Sequence, residues 1–207
     1  MPRPRNPRLA EVERRRQNQI RDRTGATLTA LLAALPDLSE QALADYQAAA
    51  YPTVLGGQTL AAGTAAGYVT ALAPPSESSR RRRRLDVAAA LARSGVLVTP
   101  ETRSLIFPVL RARSLVNDGQ THAAAVAAAG SYAGALSGND VMAAQRVGLD
   151  EAADSAGTRI VGWRKETGGN ACPWCEETAG GFYHSADAVP FHDRDQCSVA
   201  PIFEGDE

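Results

Sequence analysis

The residues best suited to chemistry lie near the end of the 207-residue sequence. Residues 171–197, ACPWCEETAGGFYHSADAVPFHDRDQC, hold all three cysteines and two of the three histidines. Cys172 and Cys175 form a Cys-x2-Cys pair, and His192 and Cys197 follow as His-x4-Cys. Three thiolates and one imidazole are a donor set that structural zinc uses in tetrahedral sites. The spacing therefore predicts one structural Zn2+ ion, bound by Cys172, Cys175, His192 and Cys197.

Other interpretations of this cluster fit less well. His184 is a rival fourth ligand, but its setting in FYHSAD favours a solvated surface histidine. A redox-active CPWC disulfide lacks the βαβ pattern that accompanies such motifs. A catalytic zinc would keep one coordination position open, with Glu176 or Glu177 as the base, whereas four candidate ligands close the sphere. A zinc deaminase needs His-x-Glu upstream, and His122, the only upstream histidine, is followed by alanines.

Composition points to a helical body. Hydrophobic residues make up 44% of the chain, yet aromatic residues make up only 5%, and much of the remainder is alanine, a strong helix former. The longest weakly apolar run, AAAVAAAGSYAGAL, is too short to span a bilayer, and no apolar leader follows Met1. We expect a chain that folds as a soluble intracellular protein and has no membrane partner.

Charge is distributed unevenly along the chain. Residues 1–24 carry eight arginines against three acids, whereas residues 166–207 carry nine acids against Arg194. The acidic cysteine-rich segment should therefore repel a nucleic-acid duplex. Any contact with a polyanion or an acidic partner would come from two basic clusters, for which a solvated surface is the equally weighted alternative. Their residues are Arg14, Arg15 and Arg16, and Arg80, Arg81, Arg82, Arg83 and Arg84.

The pattern along the chain predicts a mainly α fold, with a multi-helix body followed by a small C-terminal β-hairpin zinc-knuckle module. We expect five segments: a basic arm or helix at 1–24, a helical segment at 25–73, an arginine-rich linker at 74–84, a helical block at 85–157, and a strand with the Cys3His module at 158–207. Ile160, Val161 and Trp163 are β-formers and mark the strand.

Helix ends are predicted from capping and breaking residues. Pro36 should end the first helix, and Ser39 should cap the next one. Pro52 and the Gly56-Gly57 pair should break that second helix. In the second block, Thr99 with Pro100 should begin a helix that contains Pro108 and stops at 117–119, and further helices should begin near Thr121 and near Asp140.

The segment TRIVGWRKETGGNACPWCEETAGGFYHSADAVPFHDRDQCSVAPIF resembles the C-terminal segment of MuF-like minor head (head morphogenesis) proteins of tailed bacteriophages, especially those of actinobacteria. The matching features lie in residues 158–204, with a looser likeness in the helices from Leu85 onward. They are Gly162-Trp163-Arg164, Cys172 and Cys175, Phe182-Tyr183, Pro190 with His192, Cys197, and Pro201 with Phe203. One departure is that the family commonly has two closely spaced cysteines after the histidine, whereas this chain has only Cys197, with Asp195 near the missing one.

The resemblance implies a non-catalytic component of the phage head. Such a protein would bind the portal or the major capsid protein during assembly in the host cytoplasm, lie inside the virion, and could be packaged with the genomic DNA through the arginine clusters. Helices faced with alanine and glycine suit close packing on such a partner. Two alternatives remain open: a nucleic-acid-binding protein that uses both arginine clusters, and a capsid maturation protease, although no nucleophile–base pair is recognisable in the sequence.

Overall fold

A computed structural model describes residues 6–73, 86–155, 160–168, 171–191 and 197–204. Six helices and two strands follow one another along these ranges. They are α1 (Pro7–Ala33), α2 (Glu40–Leu72), α3 (Val87–Ser94), α4 (Arg103–Asn117), α5 (His122–Ser155), β1 (Ile160–Glu166), α6 (Pro173–Thr178) and β2 (Ser198–Phe203). The predicted mainly helical architecture is confirmed, with a small two-stranded sheet at the C-terminal end.

The first helix begins and ends where local chemistry dictates. The Asn6 side chain accepts a hydrogen bond from the Leu9 amide at 3.1 Å, and Pro7 occupies the first turn, where its missing N–H costs nothing. The helix ends at Ala33, before Pro36 as predicted. The boundary drawn between residues 24 and 25 falls inside this single helix.

The second helix confirms one prediction and corrects another. The Ser39 hydroxyl accepts the Ala42 N–H at 3.2 Å, so the predicted N-cap is confirmed. The predicted break at Pro52 and Gly56-Gly57 is wrong, because α2 continues through them to Leu72. The reason lies in packing: a Cβ at Gly57 would come within 2.6 Å of Thr24 Oγ1, so this glycine allows α1 to approach closely. Burial along α2 outweighs the weak local preference against helix.

In the second helical block, α4 begins later than predicted, and α5 runs longer than predicted. Helix α4 starts after Thr102 rather than Thr99, because residues 99–102 form a turn closed by Thr102 N–H to Thr99 O at 2.9 Å. The helix contains Pro108 and ends at Asn117, and the following Gly119 has a φ of 89°, so the predicted stop is confirmed. Helix α5 then runs unbroken past Asp140, and the restart predicted there is wrong.

The long helix α5 packs against α1, α2 and α4 and forms the centre of the bundle. Small residues at the crossings bring the backbones together: a Cβ at Gly25 would lie 3.1 Å from Gly134 Cα, and one at Gly148 would lie 2.2 Å from Ala62 O. The principal core contains Leu28, Leu32, Tyr46, Val54, Leu105, Val109 and Ala133. The alanine and glycine faces of the sequence are therefore largely used inside the chain.

The sheet joins the two ends of the C-terminal segment. Strands β1 and β2 are antiparallel, with Glu166 opposite Ser198 and Lys165 opposite Val199. Residues 167–197 connect them, so the small C-terminal β structure is an antiparallel pair with a long connection. A second core holds the sheet on the bundle, with Trp163 packed among residues that include Tyr68 and Leu149.

Two further predictions concern the arginine-rich linker and membrane-spanning helices. The arginine-rich linker predicted at 74–84 lies outside the described residues. Within the described ranges, no helix combines the length and the apolar character needed to cross a bilayer.

Candidate metal centre

Helix α6 positions the first two cysteines. Cys172 is its N-cap, and the Cys172 sulfur accepts the backbone N–H of Cys175 at 3.4 Å. Pro173 occupies the first turn, and Glu176 N–H donates to the Cys172 carbonyl at 3.0 Å. A sulfur that receives a backbone N–H at a helix N-terminus is stabilised as a thiolate, which is the form that binds metal.

The sheet positions the third cysteine. Cys197 directly precedes β2, and the next residue, Ser198, pairs with Glu166 at the end of β1. The chain leaves β1 at that same end on its way to α6. Cys175 and Cys197 are buried, with 2% and 6% of their surfaces exposed, and none of the three cysteines forms a disulfide. Burial and reduction are the conditions that a structural thiolate site requires.

The predicted fourth ligand, His192, lies outside the described residues. Among those that are described, no group of three or more histidine, cysteine, aspartate or glutamate side chains is close enough to hold a metal ion. The structure therefore does not bring Cys172, Cys175 and Cys197 together as a three-ligand group, and the set of Cys172, Cys175, His192 and Cys197 stays a prediction. His184 is exposed and stacks edge-on against Phe182 with ring centroids 5.2 Å apart, in agreement with a surface role.

A buried lysine lies beside Cys175, and the sequence analysis missed it. Lys165 is only 1% exposed, and its Nζ lies 3.5 Å from Cys175 Sγ. The same Nζ lies 4.4 Å from the ring centroid of Trp174 and 5.1 Å from that of Phe191. A sequence signal did exist: Lys165 is the only lysine among the 22 lysine and arginine residues of the chain.

Two polar contacts attach this segment to α5. Asp150 Oδ1 accepts the Ala186 N–H at 3.2 Å, and the Arg146 guanidinium lies 4.7 Å from the Phe191 ring centroid. Burial raises the pKa of Asp150 to about 6, and nearby acids add to the effect. The C-terminal segment is therefore fixed to the helical bundle through both its core and its polar groups.

The described arginines of the predicted contact surface are partly engaged within α1. Arg14 and Arg15 both form ion pairs with Glu11, the second with an N–O distance of 2.7 Å. These hydrogen bonds lower the pKa of Glu11. Arg16 is exposed and lines a groove between α1 and α2. The second cluster, Arg80 to Arg84, lies outside the described residues.

Comparisons of the chain with protein families, with curated proteins and with solved structures gave no match. The likeness to phage head proteins thus rests on the residues of the sequence.

Proposed function

We propose that the chain is a non-catalytic minor head protein of the MuF type, whose C-terminal module is stabilised by one structural zinc ion. The portal or the major capsid protein of a tailed phage is the proposed partner, and the inside of the head is the proposed location. The observation that supports the zinc is the Cys172–Cys175 turn, in which a backbone N–H already points at a cysteine sulfur.

The zinc would act by closing a segment that has little other regular structure. Between β1 and β2 the described residues contain one short helix, α6, and a β-bridge between Trp163 and Tyr183. A metal that ties Cys172 and Cys175 to Cys197 would fix α6 against the start of β2. His192 would supply the remaining donor.

Metal content of the purified full-length chain tests the zinc centre. We expect one zinc per chain by mass spectrometry, and loss of that zinc in both Cys197→Ser and His192→Ala. His184→Ala is the matched control and should keep the metal, because His184 is exposed. Zinc retained in His192→Ala would disprove the ligand assignment, and its absence from the unmodified chain would remove the centre altogether.

Co-expression with the portal and major capsid proteins encoded in the same genome tests the head-protein assignment. We expect the chain to co-purify with one of them. Salt-dependent binding to duplex DNA that is lost when Arg80 to Arg84 are neutralised, with no capture of either head protein, would support the nucleic-acid alternative instead. Cleavage of the capsid precursor by the purified chain would support the protease alternative.

A further inference from the structure

The groove between α1 and α2 is apolar at its centre and open to solvent. Val12 and Leu60 line it, and they are 47% and 55% exposed. Its α2 side carries no charge, because residues 46–72 contain no charged side chain. Gly56 and Gly63 leave space beside Leu60, since a Cβ at either position would have no atom within 4 Å. Exposed apolar surface with space beside it for another side chain is typical of an interaction site.

The α1 side of this groove is positively charged. Arg16 and Arg23 are exposed, line the groove, and lie about two helical turns apart on the same side of α1. The acidic neighbours offset little of this charge at the surface, because Glu13 is only 4% exposed and Asp22 Oδ1 lies 3.5 Å from Arg21 Nε. A partner for the α1/α2 groove therefore needs an apolar side chain for its centre and carboxylates for its α1 side.

Helix α6 offers both of these features. Trp174 is 40% exposed, and Glu176 and Glu177 close to it are exposed as well. Trp174 and Glu177 are three positions apart, so they lie on the same side of the helix. The indole is held in place by Lys165, whose Nζ lies 4.4 Å from its ring centroid. A large aromatic side chain that is ordered before binding makes a good anchor for a protein interface.

The charge around α6 is also complementary to the groove. In the described part of residues 167–204, the exposed acidic and basic side chains other than histidine are all carboxylates, those of Glu176, Glu177, Asp187 and Glu204. The basic groove and the acidic segment are both exposed in the same molecule. Neither surface is therefore covered by the other within one copy, and a second copy supplies the matching surface for each.

We propose that the α1/α2 groove of one copy binds α6 of a second copy of this chain. Trp174 would cover Val12 and Leu60, and the glutamates of α6 would face the arginines of α1. Because the two surfaces are different, each copy can bind one neighbour through its groove and another through α6. The contact therefore builds head-to-tail oligomers whose size rises with concentration, unless a ring closes. Neither the proposed zinc ion nor a phage partner takes part in it.

Light scattering coupled to size-exclusion chromatography of the full-length chain tests the self-association. We expect a mass above 21.8 kDa that rises with protein concentration and falls with added salt, because the charged side chains at the groove are exposed. Arg16→Glu combined with Arg23→Glu should weaken the association by about 100-fold, since carboxylates would then face carboxylates. Arg103→Glu combined with Arg111→Glu is the matched control, because both arginines are exposed on α4 and the net charge changes equally.

A mixing experiment identifies the two surfaces. Trp174→Ala removes the anchor of α6 and leaves the groove intact, whereas Arg16→Glu with Arg23→Glu leaves α6 intact. Each variant should be monomeric alone. Their equimolar mixture should form a dimer of twice 21.8 kDa and nothing larger, because only one contact between an intact groove and an intact α6 can form. Formation of that dimer also shows that each variant keeps its intact surface folded.

The same measurements can overturn the inference. A chain that stays monomeric at every soluble concentration would do so, and the groove would then be left to a different partner. Self-association that the α4 control weakens as strongly as the α1 variant would do so as well, because overall charge would then be the cause. An equimolar mixture that stays monomeric, or single variants that associate like the unmodified chain, would place the contact elsewhere on the molecule.

Discussion

Replacing Gly148 by alanine should destabilise the protein, although alanine is the better helix former. Gly148 lies in α5 where this helix crosses α2, and a Cβ added there would come within 2.2 Å of Ala62 O and 2.7 Å of both Ala62 C and Ala62 Cα. These are backbone atoms inside a long helix, so they cannot move away one at a time. The clash can be relieved only by separating the two helices.

The change in stability caused by Gly148→Ala is the sum of two opposing effects, helix propensity and overpacking. An alanine in the interior of a helix gains about 0.5–1 kcal/mol over glycine. Overpacking of a well-packed interior typically costs about 1–3 kcal/mol, and a contact with backbone belongs at the upper end. We therefore expect Gly148→Ala to lower the free energy of unfolding by about 1–2 kcal/mol.

Gly63→Ala is the matched control. Gly63 is also inside a long helix, α2, but a Cβ there would have no atom within 4 Å. The propensity term then acts alone, and this variant should be more stable than the unmodified chain by about 0.5–1 kcal/mol. Urea unfolding followed by far-UV circular dichroism gives both values. If the two alanine variants shift the unfolding midpoint in the same direction, α2 and α5 do not approach as closely as described.

Two further predictions concern buried polar groups. Burial raises the pKa of Asp150 from 3.8 to about 6, so its ionised form destabilises the fold above about pH 6, and this effect fades as the pH falls toward 4. Asp150→Asn should therefore be more stable than the unmodified chain at neutral pH, with an advantage that shrinks on acidification in pH-resolved urea unfolding; a pH-independent difference would contradict this. Gln58 is fully buried, donates to Val96 O at 2.8 Å and accepts Val98 N–H at 2.9 Å. Gln58→Leu would leave both backbone groups unpaired and should cost about 3 kcal/mol in the same assay, whereas a cost below about 1 kcal/mol would show that these bonds contribute little.

Sequence reasoning predicted well the features that depend on a few neighbouring residues. Ser39 caps α2, and α4 stops at Asn117 before a glycine with positive φ, because capping and left-handed backbone are local properties. The strand at Ile160–Glu166 was predicted from its β-branched and aromatic residues and is confirmed as well.

The same reasoning failed where packing between distant segments decides the outcome. Gly57 reads locally as a helix breaker, yet it serves as the contact point of α2 with Thr24. The pairing of β1 with β2 could not be predicted either. The two strands are separated by residues 167–197, and no local turn motif indicates a connection of that length. Lys165 escaped notice for a related reason: it matters through Cys175, Trp174 and Phe191, which surround it only after folding.

The internal packing of the helices also changes the argument for a partner. In the sequence, the alanine and glycine faces suggested surfaces prepared for close contact with another protein. In the structure, Gly25 faces Gly134 and Gly148 faces Ala62, so these small residues are used within the chain itself. They explain how a chain with few aromatic residues can pack tightly. Gly56, Gly63 and Gly67 of α2 are different, because they are exposed and have no neighbouring atom within 4 Å of a built Cβ. Only this part of the small-residue pattern stays open to a partner, and the proposed attachment to a portal or capsid protein is otherwise supported by the C-terminal segment with Cys172, Cys175 and Cys197.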